Sequence, residues 1–434
     1  MEKIIIMVLF SISKWQCLHY EATDNGFLAA SAPDSMNAYI FGVRDNVGGM
    51  IFKTQNGGQN WTEIQPWTIE EAFLVAGGQF INTNTGFVTS VGLIWNILPT
   101  ARIMKTTDGG YTWTTVYGGT LFEVGKFWED IFFLPSNLSL GWVCGARGEI
   151  LRTTNGGSSW TSITTDTLYS LKAIYFLNSS LGWCVGGDYD TTTGQGINGV
   201  ILKTTNGGAS WTTIIDNAPF ELWDVHFIDA QNGIAVGYKD ANSYGLILKT
   251  IDGGNSWTEM YGPPGLGYYG LYGVEFIDNL KGYAAGGGNR YGWSGSYFGI
   301  FLKTEDGGNT WFADTVIFEN DPWGVAPLCL DMVSNNWGYA GGARMSVFRY
   351  SPLSKVSEKS FAYSYPKIEI GKDKISIFSK EPFDFKIFDI SGRILKNEKI
   401  VKGNREINSF KSGVYYLNLK SKNKEVNKKI IIIR

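Results

Sequence analysis

With two histidines, four cysteines and only 18 % charged residues in 434, the chain has little material for several kinds of chemistry. His19 stands near a strand-like string, and His226 alternates with Val225 and Phe227. Neither has a Ser or Cys nucleophile pattern beside it, so a catalytic triad has no support. No CxxC pair occurs. Cys144 and Cys184 lie in the related strings GWVCG and GWCVG, one position apart, so alternation along a strand sets them on opposite faces. They read as buried small residues, not as a disulfide or metal site, and no metal or cofactor is expected. No long segment has the helical period, and none is apolar for long enough to span a bilayer. The run Ile4–Phe10, behind a single lysine, is too short to cross and fits a secretory signal over residues 1–13.

What is abundant points to β-structure. Gly (55 residues) and aromatics (15 %) favour short strands joined by tight turns. The net charge of −3 hides a division, because residues 352–434 carry 19 Lys+Arg against 9 Asp+Glu. Fifteen of the sixteen tryptophans precede residue 330, and the last is Trp337. Such breaks in charge and aromatic content argue for two domains. The lysines of the tail alternate with acids along strand-like sequence, so a solvated surface is expected there, not nucleic-acid binding.

Six strings repeat: KTQNGGQNW, KTTDGGYTW, RTTNGGSSW, KTTNGGASW, KTIDGGNSW and KTEDGGNTW. Their tryptophans (Trp61, Trp113, Trp160, Trp211, Trp257 and Trp311) are 52, 47, 51, 46 and 54 residues apart. A period near 50 in strand-rich sequence is the signature of a β-propeller. Each unit reads as four strands, with an inner strand such as Trp223–Ile228 and a second such as GIAVG. Counting the first three strands gives seven units, the last lacking its fourth strand. The string KWQCL, from Lys14, resembles that strand and is expected to complete the seventh blade, closing the ring.

The Asn-Gly and Asp-Gly pairs favour the positive φ of tight hairpins, with Thr and Asp or Asn bonding the local backbone. Asn56, Asn155 and Asn206 alternate with Asp108, Asp252 and Asp306, so no carboxylate-specific job is shared. Six copies spaced around a ring cannot converge on one substrate either. These turns read as scaffold. T-x-[DN]-G-G-x-x-W resembles the Asp-box, or BNR repeat, and the whole unit looks most like photosystem II assembly-factor-type seven-bladed propellers of the sortilin/sialidase-like superfamily. The resemblance covers residues 14–350. It implies a scaffold role for the motif, which sialidases and xyloglucan-cleaving hydrolases also carry away from their active sites.

Past a linker at 351–365, residues 366–434 read as short strands of a small immunoglobulin-like β-sandwich. The strings IFDISGRIL, SGVYYLNL and NKKIIIIR resemble the type A C-terminal sorting domain of the type IX secretion system. That resemblance implies a Bacteroidota-type protein, secreted or attached to the outer-membrane surface, whose tail engages the secretion machinery. The fold class is therefore all-β, a seven-bladed propeller followed by a small sandwich, and the expected form is a monomer.

Propellers bind where their inner strands begin. Alignment of the units sets Glu129, Lys172, Trp223, Tyr272 and Trp323 in that ring, beside aromatic insertions at 261–273 and 289–299 that carry Tyr268, Tyr269 and Trp293. Such side chains suit an unknown protein or glycan ligand. The alternative is a glycoside hydrolase or lyase working at the channel mouth, for which paired acids are needed. Asp130 and Asp224 occupy equivalent positions at the start of inner strands, but Lys172, Ala173 and Gly273 fill that region in other blades.

Overall fold

The computed structural model describes residues 15–432 apart from 20–25, 45–47, 69–70, 95–97, 241–244, 264–269, 288–298, 315, 318–325, 335–336, 344–345, 352–366, 371–373, 380–382, 390–393, 401–402, 409–412 and 422–424. The expected signal and the linker from 352 onward lie outside these residues, as do Tyr268, Tyr269, Trp293 and Trp323. The chain divides into two compact units, one of which spans Ser13–Pro352. Among the described residues there is no α-helix.

The larger unit is a seven-bladed propeller. Six blades are four-stranded antiparallel sheets in simple up-and-down order, with inner strands Gly26–Ser31, Leu74–Phe80, Trp128–Phe133, Leu171–Phe176, Glu221–Phe227 and Gly270–Phe276. Blade 7 begins at Pro327–Ser334, and its fourth strand comes from the other end of the chain. Trp15–His19 pairs antiparallel with Ser346–Tyr350, starting from Trp15 opposite Tyr350. This is the closure expected from the missing strand. One detail differs: Val316–Ile317 pairs parallel with the outer side of Trp15–Gln16, so the closing strand is flanked on both sides. Trp15 is fully buried and stacks on Phe301 of blade 6 with centroids 4.0 Å apart.

Blades pack through a repeated aromatic sandwich. In blades 2 to 5 the phenylalanine that ends the inner strand takes the face of an aromatic from the preceding blade and the edge of its own blade's repeat tryptophan. Trp183 stacks on Phe227 at 3.3 Å and 7°, while Trp257 meets the same ring at 5.8 Å and 89°. Trp142, Phe176 and Trp211 repeat the arrangement one interface earlier. In blade 1 Ala32 stands where the phenylalanine would be, and Tyr339 of blade 7 meets Trp61 directly, 5.7 Å away.

The glycine turns lie at these same interfaces. In all six, Thr Oγ1 donates to the Asp or Asn Oδ1, and accepts from the second glycine N–H; the N–H four residues beyond the acid or amide donates to its Oδ1. All these distances are 2.8–3.0 Å. Both glycines have φ between 67° and 92°, the left-handed region that a Cβ disfavours. The carbonyl of the first glycine accepts a cation from the preceding blade: Lys53 to Gly109, Arg152 to Gly207, Lys249 to Gly307 and Arg349 to Gly57, at 2.7–2.9 Å. Arg349 stands where the other blades carry lysine or, in blade 3, Arg152, so the same clamp spans the closure between blades 7 and 1.

Cys144 and Cys184 do point to opposite faces of their own sheets. Because blades 3 and 4 are neighbours, those faces are the two sides of one interface, and the thiols meet there hydrogen-bonded and free, with burial pushing the Cys144 thiol up.

The C-terminal unit contains a three-stranded sheet, ordered Lys367–Ile370, Lys374–Ser379, Gly403–Asn408, and a four-stranded sheet built on Phe383–Asp389 and Gly413–Ser421. The immunoglobulin-like arrangement of the two stays an expectation from the sequence.

Candidate functional site at the channel mouth

Strict alternation would set Trp223 on the same face as Val225 and Phe227. The structure does otherwise. Leu222 pairs with Gly237 and Asp224 with Val236, leaving Trp223 as an extra residue in a β-bulge. Leu222, Val225 and Phe227 all go to the core. Equivalent register shifts interrupt every inner strand, at Leu28, Ala76, Glu129, Lys172, Trp223, Tyr272 and Leu328. Bulges re-aim side chains, so each blade turns one residue out of the alternation near the start of its inner strand.

The bulge explains the final glycine of GWVCG and its relatives. Opposite it, the two backbones approach so closely that a Cβ on Gly237 would stand 2.0 Å from the Glu221 carbonyl oxygen. Six of the seven blades have glycine at that place, and blade 2 has Ser90.

The seven bulged residues are of six kinds, leucine alone recurring. Glu129 and Lys172 form an ion pair at 2.5 Å, with side chains 18 % and 15 % exposed. The Lys172 ammonium lies 4.9 Å from the Trp223 ring centre, and Trp223 meets Tyr272 edge-to-face at 6.0 Å and 84°. Tyr272 is buried, clustered with Ala326, Leu328 and, from blades 5, 7 and 1, Trp223, Ala343 and Leu28. The ring thus runs from a charge pair through two aromatics to an aliphatic arc. Glu129, Lys172, Trp223 and Tyr272 come together as the unit alignment sets them. Leu28, Ala76 and Leu328 were missed; the core spacing of three and then two residues that marks a bulge in Trp128, Ile131, Phe133 and in Leu171, Ile174, Phe176 is not repeated by the buried apolar residues of their strands.

Deeper polar side chains stitch each blade to the next. Ser31 Oγ accepts from the Phe80 N–H, Gln79 Oε1 from Phe133, Glu275 Oε2 from Met332 and Asp331 Oδ2 from Ala32, at 2.5–2.8 Å. The Tyr175 hydroxyl donates to the Phe227 carbonyl at 3.1 Å. Asp130 and Asp224 serve the remaining two interfaces, reaching the Ile174 and Val274 N–H groups at 3.0 and 2.8 Å. Burial pushes the Asp130 and Asp331 carboxyls up to about 6 and Asp224 to about 7, and holds Glu275 well above its ordinary value. Burial also holds His226 neutral, down to about 4, with its ring 4.7 Å from Tyr175. Among the described residues no group of three or more His, Cys, Asp or Glu could hold a metal ion.

Residues 371–433 match the family described as the secretion system C-terminal sorting domain. Such a tail directs export to the cell surface or the extracellular space and suggests engagement by the secretion machinery. No described helix is long and apolar enough to cross a membrane. Comparison with curated proteins gives no match. Among solved structures, YCF48 bound to D1 peptide is similar with a TM-score of 0.56 at 16 % identity, covering 78 % of this chain and 97 % of that one. The GH74 xyloglucanase of Xanthomonas campestris is similar with a TM-score of 0.53 at 10 % identity over 94 % of this chain and 66 % of its own. PorZ, a surface component of the type-IX secretion system of Porphyromonas gingivalis, gives 0.51 at 14 % identity, over 95 % and 60 %. At these identities the likeness is one of fold.

Proposed function

We propose that this chain is an exported, non-catalytic binding propeller whose channel mouth holds a segment of another protein. One observation carries the reading: seven equivalent bulges share their geometry but not their residues. A frame that repeats while its displayed side chains vary is the usual arrangement of a site grafted on a fold.

The chemistry of the ring favours a polypeptide over a sugar. Stacking on a sugar needs an open aromatic face. The Trp223 face is shared with Lys172, and Tyr272 is buried. An aliphatic arc opposite a charge pair suits the mixed side chains of an extended peptide. The likeness to a propeller bound to a peptide agrees with this. The hydrolase reading would need two carboxyls opposed at the mouth, and among the described bulge residues Glu129 alone carries one, already paired with Lys172. The tail at 366–434 would serve the type IX machinery of a Bacteroidota-type cell, after a signal at 1–13.

Selection of a random displayed peptide library on the full chain, beside a glycan array, tests the proposal. Enriched peptides that bind wild type and lose affinity with Trp223→Ala or Lys172→Ala support it. Binding to glycans alone, or sugar release from a polysaccharide panel, overturns it.

A further inference from the structure

Five of the seven blade stitches use the residue three positions past the bulge. In blades 3 and 5 that place is filled by Phe132 and His226, and the residue directly after the bulge takes over. Asp130 Oδ1 accepts from the Ile131 N–H at 2.7 Å and Oδ2 from Ile174 at 3.0 Å. Asp224 Oδ1 accepts from Val225 and Oδ2 from Val274, both at 2.8 Å. Each carboxylate therefore holds its own bulge and that of the next blade in one frame. Asp130 ties Glu129 to Lys172, and Asp224 ties Trp223 to Tyr272.

Resting on the reading of the mouth as the binding site, we propose that Asp130 and Asp224 are positioning residues that fix the mouth as two pairs, and that proton uptake slackens each pair. A carboxylate accepts at both oxygens, whereas a carboxylic acid turns one oxygen into a donor that faces a backbone N–H. The neighbours do little to keep the charge. Asp130 faces Glu129 on its own strand, Cys144 on the second strand of its blade, and Asp224. Asp224 faces Asp130 and Glu275, with the neutral His226 on its own strand. The nearby cation, Lys172, is bonded to Glu129.

Burial raises both carboxyls, so the folded state keeps protons that the unfolded chain, with its ordinary carboxyls near 4, has released. Their contribution to stability is complete at low pH and is lost as pH rises through about 6 and about 7. His226 opposes this as pH falls through its ordinary value of about 6.5, and Asp224, which titrates in the folded state at about 7, acts first. Between pH 8 and 6.5, global stability therefore rises with acid while the tie between paired bulges weakens. A merely structural role would move both in the same direction.

Hydrogen exchange of the full chain without ligand, corrected for intrinsic rates, tests this at pH 8 and 6.5. We expect the Val225 and Val274 amides to exchange about threefold faster, or more, at pH 6.5 while the thermal midpoint rises. Asp224→Asn should give fast exchange at both pH values in strands 221–227 and 270–276 and leave 128–133 and 171–176 unchanged; Asp130→Asn should do the converse. If a variant fails to fold, the wild-type comparison still decides. Exchange that slows in acid along with rising stability, or rises equally in all four strands, overturns the proposal. Because no ligand enters, failure of peptide binding would leave this result standing.

Discussion

The glycine turns and the inner-strand bulges recur with the same period in the same blades, but they repeat different things. The turns keep their residues: Thr, Asp or Asn, two glycines, then Trp, with one hydrogen-bond pattern in all six. The bulges keep only a backbone geometry, and hold Leu, Ala, Glu, Lys, Trp, Tyr and Leu at one register position of the seven inner strands. Uniform residues belong to contacts that every blade must make with its neighbour. Varied residues at a fixed geometry suit the binding proposed for the ring.

That contrast breaks most severely if the ring opens. Trp15→Ala removes a fully buried ring stacked on Phe301 and should cost about 3–5 kcal/mol, measured by denaturant unfolding of the full chain. A loss below about 1 kcal/mol would mean that the closing strand is not needed. Next in size is a turn. Thr204→Val leaves the Gly208 N–H without its acceptor and Asn206 Oδ1 with one of its two donors, a cost of about 1–3 kcal/mol, with peptide affinity unchanged. Loss of affinity there would put function in the turns after all.

Tyr272 is less useful as a probe than the sequence suggests, since it is only 6 % exposed and truncation would open a cavity. Smallest of all should be Asn206→Asp, within about 0.5 kcal/mol at pH 7. In Asn206 the side-chain amide donates to Ser210 at 2.9 Å, and in Asp252 the Ser256 hydroxyl donates back at 2.6 Å, so the hydroxyl simply turns round. The hydrogen bond from Ser256 helps hold the Asp252 carboxyl down to about 2. Stability from such a group is present above its unfolded value near 4 and is lost as pH falls toward 2. The variant should therefore lose more stability than wild type below pH 4, and equal acid sensitivity would refute the exchange.

The frame was legible because its residues repeat. Period, turn chemistry and the missing seventh strand at Trp15 all lie in the primary sequence. Four of the seven bulge positions were legible too, since aligned units set Glu129, Lys172, Trp223 and Tyr272 in register. Leu28, Ala76 and Leu328 were not, because alternation of period two hides a bulge, and an aliphatic side chain on a strand gives no sign of its direction. The roles of Asp130 and Asp224 were also hidden. As acids near a channel they resemble candidate catalysts, and only their bonds to the backbone of the next blade show what occupies them. Cys144 and Cys184 teach a related point: facing opposite sides of two adjacent sheets means facing each other.

The most direct test compares the two regions in one titration. A peptide selected on wild type is titrated into the full chain, Trp223→Ala and Thr204→Val, with thermal midpoints recorded alongside. The account predicts affinity about tenfold weaker or more for Trp223→Ala, with a midpoint within about 2 °C of wild type, and unchanged affinity with a lowered midpoint for Thr204→Val. Unchanged affinity for Trp223→Ala, or weakened binding for Thr204→Val, would contradict it.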